Sequence, residues 1–421
     1  MSAPPKPARE KTSSPVWQEC KLSDLLEIKH GYAFQGEYFS GAGTHVVLTP
    51  GNFFEEGGFK DKSDKEKWYD GPVPPDFVLN QGDLIVAMTE QGEGLLGSSA
   101  IIPRSGFYLH NQRLGLVQVR DDSKVDKYFL YYLFNSRPVR QQIRGSASGT
   151  KVRHTSPSRI AEVKVSVPSL PIQRRIAGIL SAYDELIENN QRRIRILEEM
   201  ARALYREWFV HFRFPGHEKV KLVSSPIGPI PQGWEVKRLK DVCRLTMGQS
   251  PKSEFYNDIG KGQPFHQGVS DFGDRFPTNR LFCTAEGRVA EAGDILFSVR
   301  APVGRMNIAD KRIIIGRGLS AIRHKDNYQA LLWEQLRDRF QKEDMMGNGA
   351  IFAAVTKEDM QGIELICPPD PIIRDATSHF VPIHAQIAIL SNQTTNLRDT
   401  RDLLLPRLLS GETSSLRCQT G

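Results

Sequence analysis

Two stretches of this chain say nearly the same thing more than two hundred residues apart. "WQECKLSDLLEIKHGYAF", Trp17 to Phe34, and "WEVKRLKDVCRLTMGQSP", Trp234 to Pro251, superpose at a shift of 217 positions. That shift sets Leu22 on Leu239, Asp24 on Asp241, Ile28 on Leu245 and Gly31 on Gly248. Further echoes follow in the same order. "QGDLIVAM" at 81–88 returns as "AGDILFSV" at 292–299, and "IAEVKVSVPS" at 160–169 as "MQGIELICPP" at 360–369. "LEEMARALYREWF" at 197–209 returns as "LRDTRDLLLPRLL" at 397–409. Four matches in one order, with offsets drifting from 217 through 211 to 200, mean one unit written twice. Each copy is a mixed globular module with short apolar strands, followed by a long helical segment. A chain of 421 residues is also longer than one hydrophobic core usually serves.

The helical segments carry coiled-coil spacing. In the first, apolar residues fall at Ile172, Ile176, Ile179, Tyr183, Leu186, Ile194, Leu197, Ala201, Leu204 and Trp208, in steps of four and three. Asn190 fills the place between Leu186 and Ile194, and the two consecutive steps of four there predict a stutter. In the second, Ile383, Ile387, Leu390, Thr394, Leu397, Arg401, Leu404 and Leu408 keep the rhythm. Pro382 is expected to bend or begin that helix, and "SGE" at 410–412 to stop it. One apolar stripe per helix needs a partner. Packing the two stripes on each other antiparallel gives an α+β, pseudo-twofold chain with a globular module near each end; the alternative is that each helix packs on its own module or on another subunit. A first helix from Ile172 to Phe212 is roughly 60 Å long at 1.5 Å per residue.

Composition narrows the class. With 39% apolar and 25% charged residues the chain reads as soluble and globular. Lys and Arg exceed Asp and Glu by 56 to 49, a positive excess that suits a polyanion without requiring one. Cys20, Cys243, Cys283, Cys367 and Cys418 are scattered, with no CxxC pair, and read as reduced thiols of a cytoplasmic protein. The Pro-, Ser- and Lys-rich start, 1–15, reads as a disordered tail rather than a leader, and no apolar run approaches a membrane span.

Catalytic constellations are missing. "GEGLLG" at 92–97 fits GxGxxG, but "SSAIIP" follows as another strand, not as a helix that could face a phosphate. The ExK pairs Glu162/Lys164 and Glu235/Lys237 lack an upstream Asp, the histidines show no HExxH or HxH spacing, and no GxSxG occurs. A duplicated enzyme would show its motif twice. What recurs is polar, basic, Gly-rich loops. "GYAFQGEYF" at 31–39 answers "GQSPKSEFY" at 248–256, "HNQRLG" at 110–115 answers "IGRGLS" at 315–320, and "GSASGTKVRHTS" at 145–156 answers "MMGNGAIFAAVT" at 345–356. Arg and Lys can clamp phosphates or guanine edges, and Asn and Gln can read adenine. Different loops on a repeated scaffold point to two readers of two sequences, although any one of these residues read alone is an ordinary solvated loop residue.

The stretch "LPIQRRIAGILSAYDELIENNQRRIRILEEMARALYREWFVHF" at 170–212, with "LRDTRDLLLPRLLSGE" at 397–412 and the two Trp-led openings, resembles the specificity subunits of type I restriction–modification systems. The resemblance spans nearly all of the chain. It implies two target recognition domains, 16–168 and 234–369, each reading one half of a bipartite, asymmetric double-stranded DNA site. It implies helical regions 169–213 and 370–412 that form an intramolecular antiparallel coiled coil, joined by a linker at 214–233 and followed by a tail at 413–421. The coil would set the gap between the half-sites. The subunit would catalyse nothing and hold no cofactor of its own. It would recruit two methyltransferase subunits, which bring S-adenosylmethionine, and two restriction subunits. The candidate base and phosphate readers are Tyr32, Phe34, Asn111, Gln112, Arg113, Lys151, Arg153 and His154 in the first module. In the second they are Gln249, Lys252, His266, Arg300, Arg317 and Asn348.

Three rival assignments have distinct signatures. A self-sufficient methyltransferase–nuclease needs a cofactor loop and an NPPY-like motif, and neither is seen. A protein-interaction scaffold would show no salt-sensitive preference for one bipartite duplex. A specificity module of a related restriction class would be told apart by its gene neighbours.

Overall fold

The computed structural model describes residues 17–62, 65–92, 94–345 and 355–411, with the side chains of 341–345 excepted. The chain divides into two compact units, one of residues 1–186 and 397–421, the other of residues 187–396. Each repeats one topology, as the sequence echoes predict.

In unit 1 the opening strand Gln18–Lys21 pairs antiparallel with Lys164–Val167. A four-stranded antiparallel sheet follows, in the order Leu26–His30, Leu114–Val119, Leu84–Ala87, Ser99–Ile101. A parallel pair, His45–Val47 with Tyr108–Leu109, lies in a second sheet. Unit 2 repeats each part. Glu235–Arg238 pairs with Glu364–Cys367. The main sheet runs Cys243–Met247, Leu319–His324, Ile295–Ser298, Met306–Ile308. The parallel pair is Gln263–His266 with Ile313–Ile315. The central strands "LIVA" and "ILFS" are buried at every residue, which is why they read as near-continuous apolar runs rather than alternating ones. Both are entered by the turn that the echo predicts. Gly82 and Gly293 take φ of 84° and 86°, and Asp83 and Asp294 bond back to the amides of Asn80 and Glu291 at 2.8 Å.

The long helices run Leu170–Tyr205, continued by a single wide turn to Val210, and Asp370–Leu409. In unit 1, Ile176, Ala177 and Leu180 share a core with Leu408, and Leu404 packs on it. Arg401 Nη1 donates to Asp184 Oδ1 at 2.6 Å. In unit 2, Ala201, Tyr205, Trp208 and Phe209 share a core with Ala376 and Phe380. Residue 184 meeting 401 and residue 208 meeting 379 make the pairing an intramolecular antiparallel coiled coil.

The seam differs from the expected one at two positions, where Leu180 takes the place of Ile179 and Ile187 that of Leu186. Leu186 is 53% exposed, and Ile187 beside it is 7% exposed. The buried line therefore runs 176, 180, 183, 187, 190, 194, 197, 201, a regular alternation, and the expected stutter at Asn190 is absent. The polar seam positions of the second helix are accounted for. Thr394 bonds the carbonyl of Leu390 at 2.8 Å, and Arg401 is paired. Pro382 neither begins the helix nor interrupts it. The carbonyl that its missing N–H would have bonded belongs to Ser378, and both residues are exposed, so water serves that group. Gly411, at φ 75°, ends the helix beside Trp17.

The stretch expected as a linker carries a short antiparallel ladder, Leu222–Val223 with Ile230–Pro231, and buries Phe214 and Ile230 in the core of unit 2. Among the described residues no helix is long and apolar enough to cross a membrane, and Cys20, Cys243, Cys283 and Cys367 are free thiols.

Candidate nucleic-acid interface

The polar loops singled out in the sequence converge on one rim of each main sheet, and a main-chain lattice holds them there. In unit 1 the Tyr32 amide donates to the His110 carbonyl at 2.9 Å, and Gln112 donates back to Tyr32 at 2.9 Å. Met88 donates to Arg113 at 2.9 Å, and Thr155 to Met88 at 2.9 Å. Three separate segments, 31–32, 110–113 and 152–155, are thereby stitched to the end of the strand Leu84–Ala87.

Unit 2 repeats the stitching with other side chains. Gln249 donates to Ile315 at 3.0 Å, Val299 to Gly318 at 2.9 Å and Val355 to Val299 at 2.8 Å. The lattice equates Tyr32 with Gln249, His110 with Ile315, Gln112 with Arg317, Arg113 with Gly318 and Met88 with Val299. The two glycines that open the rims are held to the type by crowding. A Cβ on Gly31 would lie 2.0 Å from the Asn111 carbonyl oxygen, and one on Gly248 would lie 2.1 Å from that of Gly316. No side chain fits either place.

On the first rim, Tyr32 is 37% exposed, with its ring centre 5.1 Å from that of Phe34 and 5.3 Å from that of Phe77. Gln112 and Arg113 are exposed, and Asn111 is half-buried, its Oδ1 accepting the Arg113 amide at 3.0 Å. Strand Val152–His154 pairs with Thr89–Gln91, which sets Arg153 opposite Glu90. His154 is exposed, with Nδ1 3.2 Å from the Thr89 hydroxyl, and Lys151 is exposed beside it. On the second rim Gln249, Lys252, Arg300 and Arg317 are all exposed.

Two expected readers belong to the interior instead. Phe34 is buried against Tyr69, Val47 and Leu109. His266 is 0% exposed, its Nε2 3.0 Å from Asn279 Oδ1. Phe34 follows the rim residue Tyr32 by two positions and turns inward, and His266 ends the buried strand Gln263–His266. Asn348 lies outside the described residues.

Sequence reasoning missed the groups that brace the rims. Glu90 is 2% exposed, and its Oε2 accepts the amides of Gly94, Leu95 and Leu96 at 3.1, 3.1 and 2.9 Å. Arg144 Nη2 lies 3.5 Å from its other oxygen. The Gly-rich loop that fits GxGxxG thus spends its amides on the chain's own carboxylate, and the strand Ser99–Ile101 follows it, as expected. Arg140 holds the same loop by donating to the carbonyls of Leu96, Gly94 and Glu55; burial lowers its guanidinium to about 10. On the second rim the Ser250 hydroxyl donates to Gln267 Oε1 at 2.8 Å and accepts the Arg317 amide at 3.1 Å. A glutamate before a Gly-rich run was the only sequence signal for any of these. Among the described residues no three His, Cys, Asp or Glu side chains converge where they could hold a metal ion.

Among the described residues the first rim offers donors, cations and an aromatic ring, and the second amide and guanidinium groups, side-chain types that can bond phosphates and base edges.

Comparison with known proteins bears on whose surface it is. The family profile described as "Type I restriction modification DNA specificity domain" matches residues 16–199 and again 231–376. The putative type I restriction enzyme MjaX specificity subunit of Methanocaldococcus jannaschii is 31% identical over 347 residues, covering 80% of this chain and 79% of that one. The MjaIX specificity subunit of the same organism is 26% identical over 316 residues, covering 69% and 70%. The crystal structure of a type I restriction–modification S subunit from M. genitalium shares the fold, with a TM-score of 0.63 at 17% identity over 95% of this chain and 98% of that one.

Proposed function

Since the chain belongs to the type I restriction–modification DNA specificity family, we propose that it is the DNA-reading subunit of such a complex, each unit reading one half of a bipartite target. The observation that carries this is the repeated lattice. One backbone frame presents Tyr32 and Gln112 in one copy and Gln249 and Arg317 in the other. Equal frames with unequal side chains suit two half-sites of different sequence.

Tethering makes the second contact intramolecular, so the two half-site energies combine. The paired helices hold the gap, and half-sites on one face of the duplex recur about every 34–36 Å. In this reading Lys151, Arg153, Lys252 and Arg300 contact phosphates, and Tyr32, Asn111, Gln112, Arg113, His154, Gln249 and Arg317 contact base edges. The chain itself is non-catalytic; methylation and cleavage belong to two methyltransferase and two restriction subunits that assemble on it. Apolar residues left exposed on the helices of unit 2, Ile196, Met200, Val381 and Ile389, support docking of partner helices there.

Methylome sequencing of cells carrying this chain with its cognate methyltransferase should return one asymmetric motif of two half-sites with a fixed gap. Methylation without a bipartite motif would refute the assignment. Arg317→Ala should then cost about 1–3 kcal/mol of discrimination at one base pair of a single half-site. Competition binding with single-base variants of the site would read this, and an equal effect on both half-sites would remove Arg317 from the base readers.

A further inference from the structure

In each unit a part-buried hydrogen bond joins the helix of the recognition lobe to a long helix, and in unit 2 Arg337 Nη2 adds a second link by donating to Glu198 Oε2 at 3.3 Å. In unit 1 Tyr132, on Lys127–Asn135, donates its hydroxyl to Asp184 Oδ2 at 2.6 Å. Asp184 lies on the first long helix, and its other oxygen holds Arg401 of the second. In unit 2 His384, on the second long helix, donates Nε2–H to Glu334 Oε1 at 2.9 Å, and Glu334 lies on Gln329–Met345.

The two bonds occupy equivalent places. His384 follows Asp184 by 200 residues, the shift that superposes the helical segments. Glu334 follows Tyr132 by 202, within the drift from 205 at the rim loops to 200 at the helices. The contact is therefore duplicated with its polarity reversed. The lobe donates in the first copy, and the helix donates in the second. The third partner changes too. In unit 2 it is Arg275 of the lobe, 3% exposed, lying 4.2 Å from the Trp333 ring centre and donating to His384 Nδ1.

An apolar pair would fill these places at no desolvation cost. What a directional bond adds is register: it fixes how one surface sits on another where apolar faces would slide. None of these residues belongs to a rim, so they cannot act by touching bases. We infer that Tyr132–Asp184 and Glu334–His384 are positioning pairs that hold each recognition lobe at a set angle on its helix, so that selectivity for the gap between half-sites depends on them. This rests on the DNA-reading function proposed above.

The test uses the full chain and duplexes carrying the mapped site at its natural gap and at gaps one base pair shorter and longer. Tyr132→Phe keeps the ring and loses only the hydroxyl. It should lower the preference for the natural gap about tenfold, the scale of one hydrogen bond to a charged group, with base preferences in each half-site unchanged. His384→Leu should do the same from the other unit. Glu334→Gln, which keeps an acceptor for His384, should retain the preference. Should Tyr132→Phe leave the gap preference within twofold of the unaltered chain, the pairs serve stability alone and the inference is overturned, whatever the melting temperature does. Should the unaltered chain bind no bipartite duplex at all, the DNA-reading assignment falls first and takes this one with it.

Discussion

Replacing Glu90 with alanine should destabilise the first unit by about 4 kcal/mol, the largest effect expected of any single exposed-loop or rim substitution. The carboxylate is buried and accepts three successive amides, from Gly94, Leu95 and Leu96, while Arg144 stands beside its other oxygen. Its removal strands three backbone donors at about 1–3 kcal/mol each before relaxation, and takes away the carboxylate beside Arg144. The 92–97 loop should open, and with it the strand Thr89–Gln91 that carries Val152–His154. Amide exchange across residues 94–101 and denaturant unfolding measure this together. Glu90→Gln, which keeps one acceptor oxygen, should lose about half as much. A loss below about 1 kcal/mol for the alanine variant would mean that the loop amides find water or other partners readily. The effect should stay local: binding to the second half-site alone should be unchanged.

Acid should weaken the first unit by a separate route. His110 is 0% exposed, with Nε2 bonded to the Leu114 carbonyl at 2.9 Å. Burial lowers its imidazole from 6.5 to about 4, against the pull of that carbonyl. Below pH 6.5 the unfolded chain takes up a proton that the folded chain refuses until about pH 4. Stability from this group is therefore complete above pH 6.5 and falls as pH falls, by up to about 3 kcal/mol at about 1.4 kcal/mol for each pH unit. Ile315 occupies the equivalent place in unit 2, so His110→Ile borrows a residue that the same frame already accepts. Unfolding free energies measured from pH 7 to pH 4.5 should slope downward in the unaltered chain and lie flatter in His110→Ile. Parallel slopes would acquit His110.

The sequence carried the architecture further than the site. The duplication was legible because strands such as 84–87 and 295–298 are buried at every residue and keep near-continuous apolar runs, broken only by Ser298. The long helices were legible from their spacing, yet the seam slipped by one residue at Leu186, since Leu186 and Ile187 are equally apolar and only packing tells them apart. Pro382 does not begin the helix, because an exposed carbonyl one turn back lets the helix run through it. Loops could be named as candidates, and the echo of 110–115 in 315–320 matched them correctly across the copies. Whether a loop residue points outward is decided by partners far away in sequence, which is why His266 and Phe34 passed for surface groups. Glu90 and the Tyr132–Asp184–Arg401 contact were invisible for the same reason. A glutamate, a tyrosine and an arginine announce nothing until the fold brings them together.

The stitching beneath the two rims is made mostly of amides and carbonyls, with the Ser250 hydroxyl taking the Arg317 amide, and it leaves no room for a side chain at Gly31, Gly248 or Gly318. Heritable change at positions 32, 112, 249 or 317 therefore costs the fold little, and neither end constrains the other. Lineages carrying this frame are free to drift toward new targets one end at a time, each intermediate still folded, and the glycines are where that freedom stops.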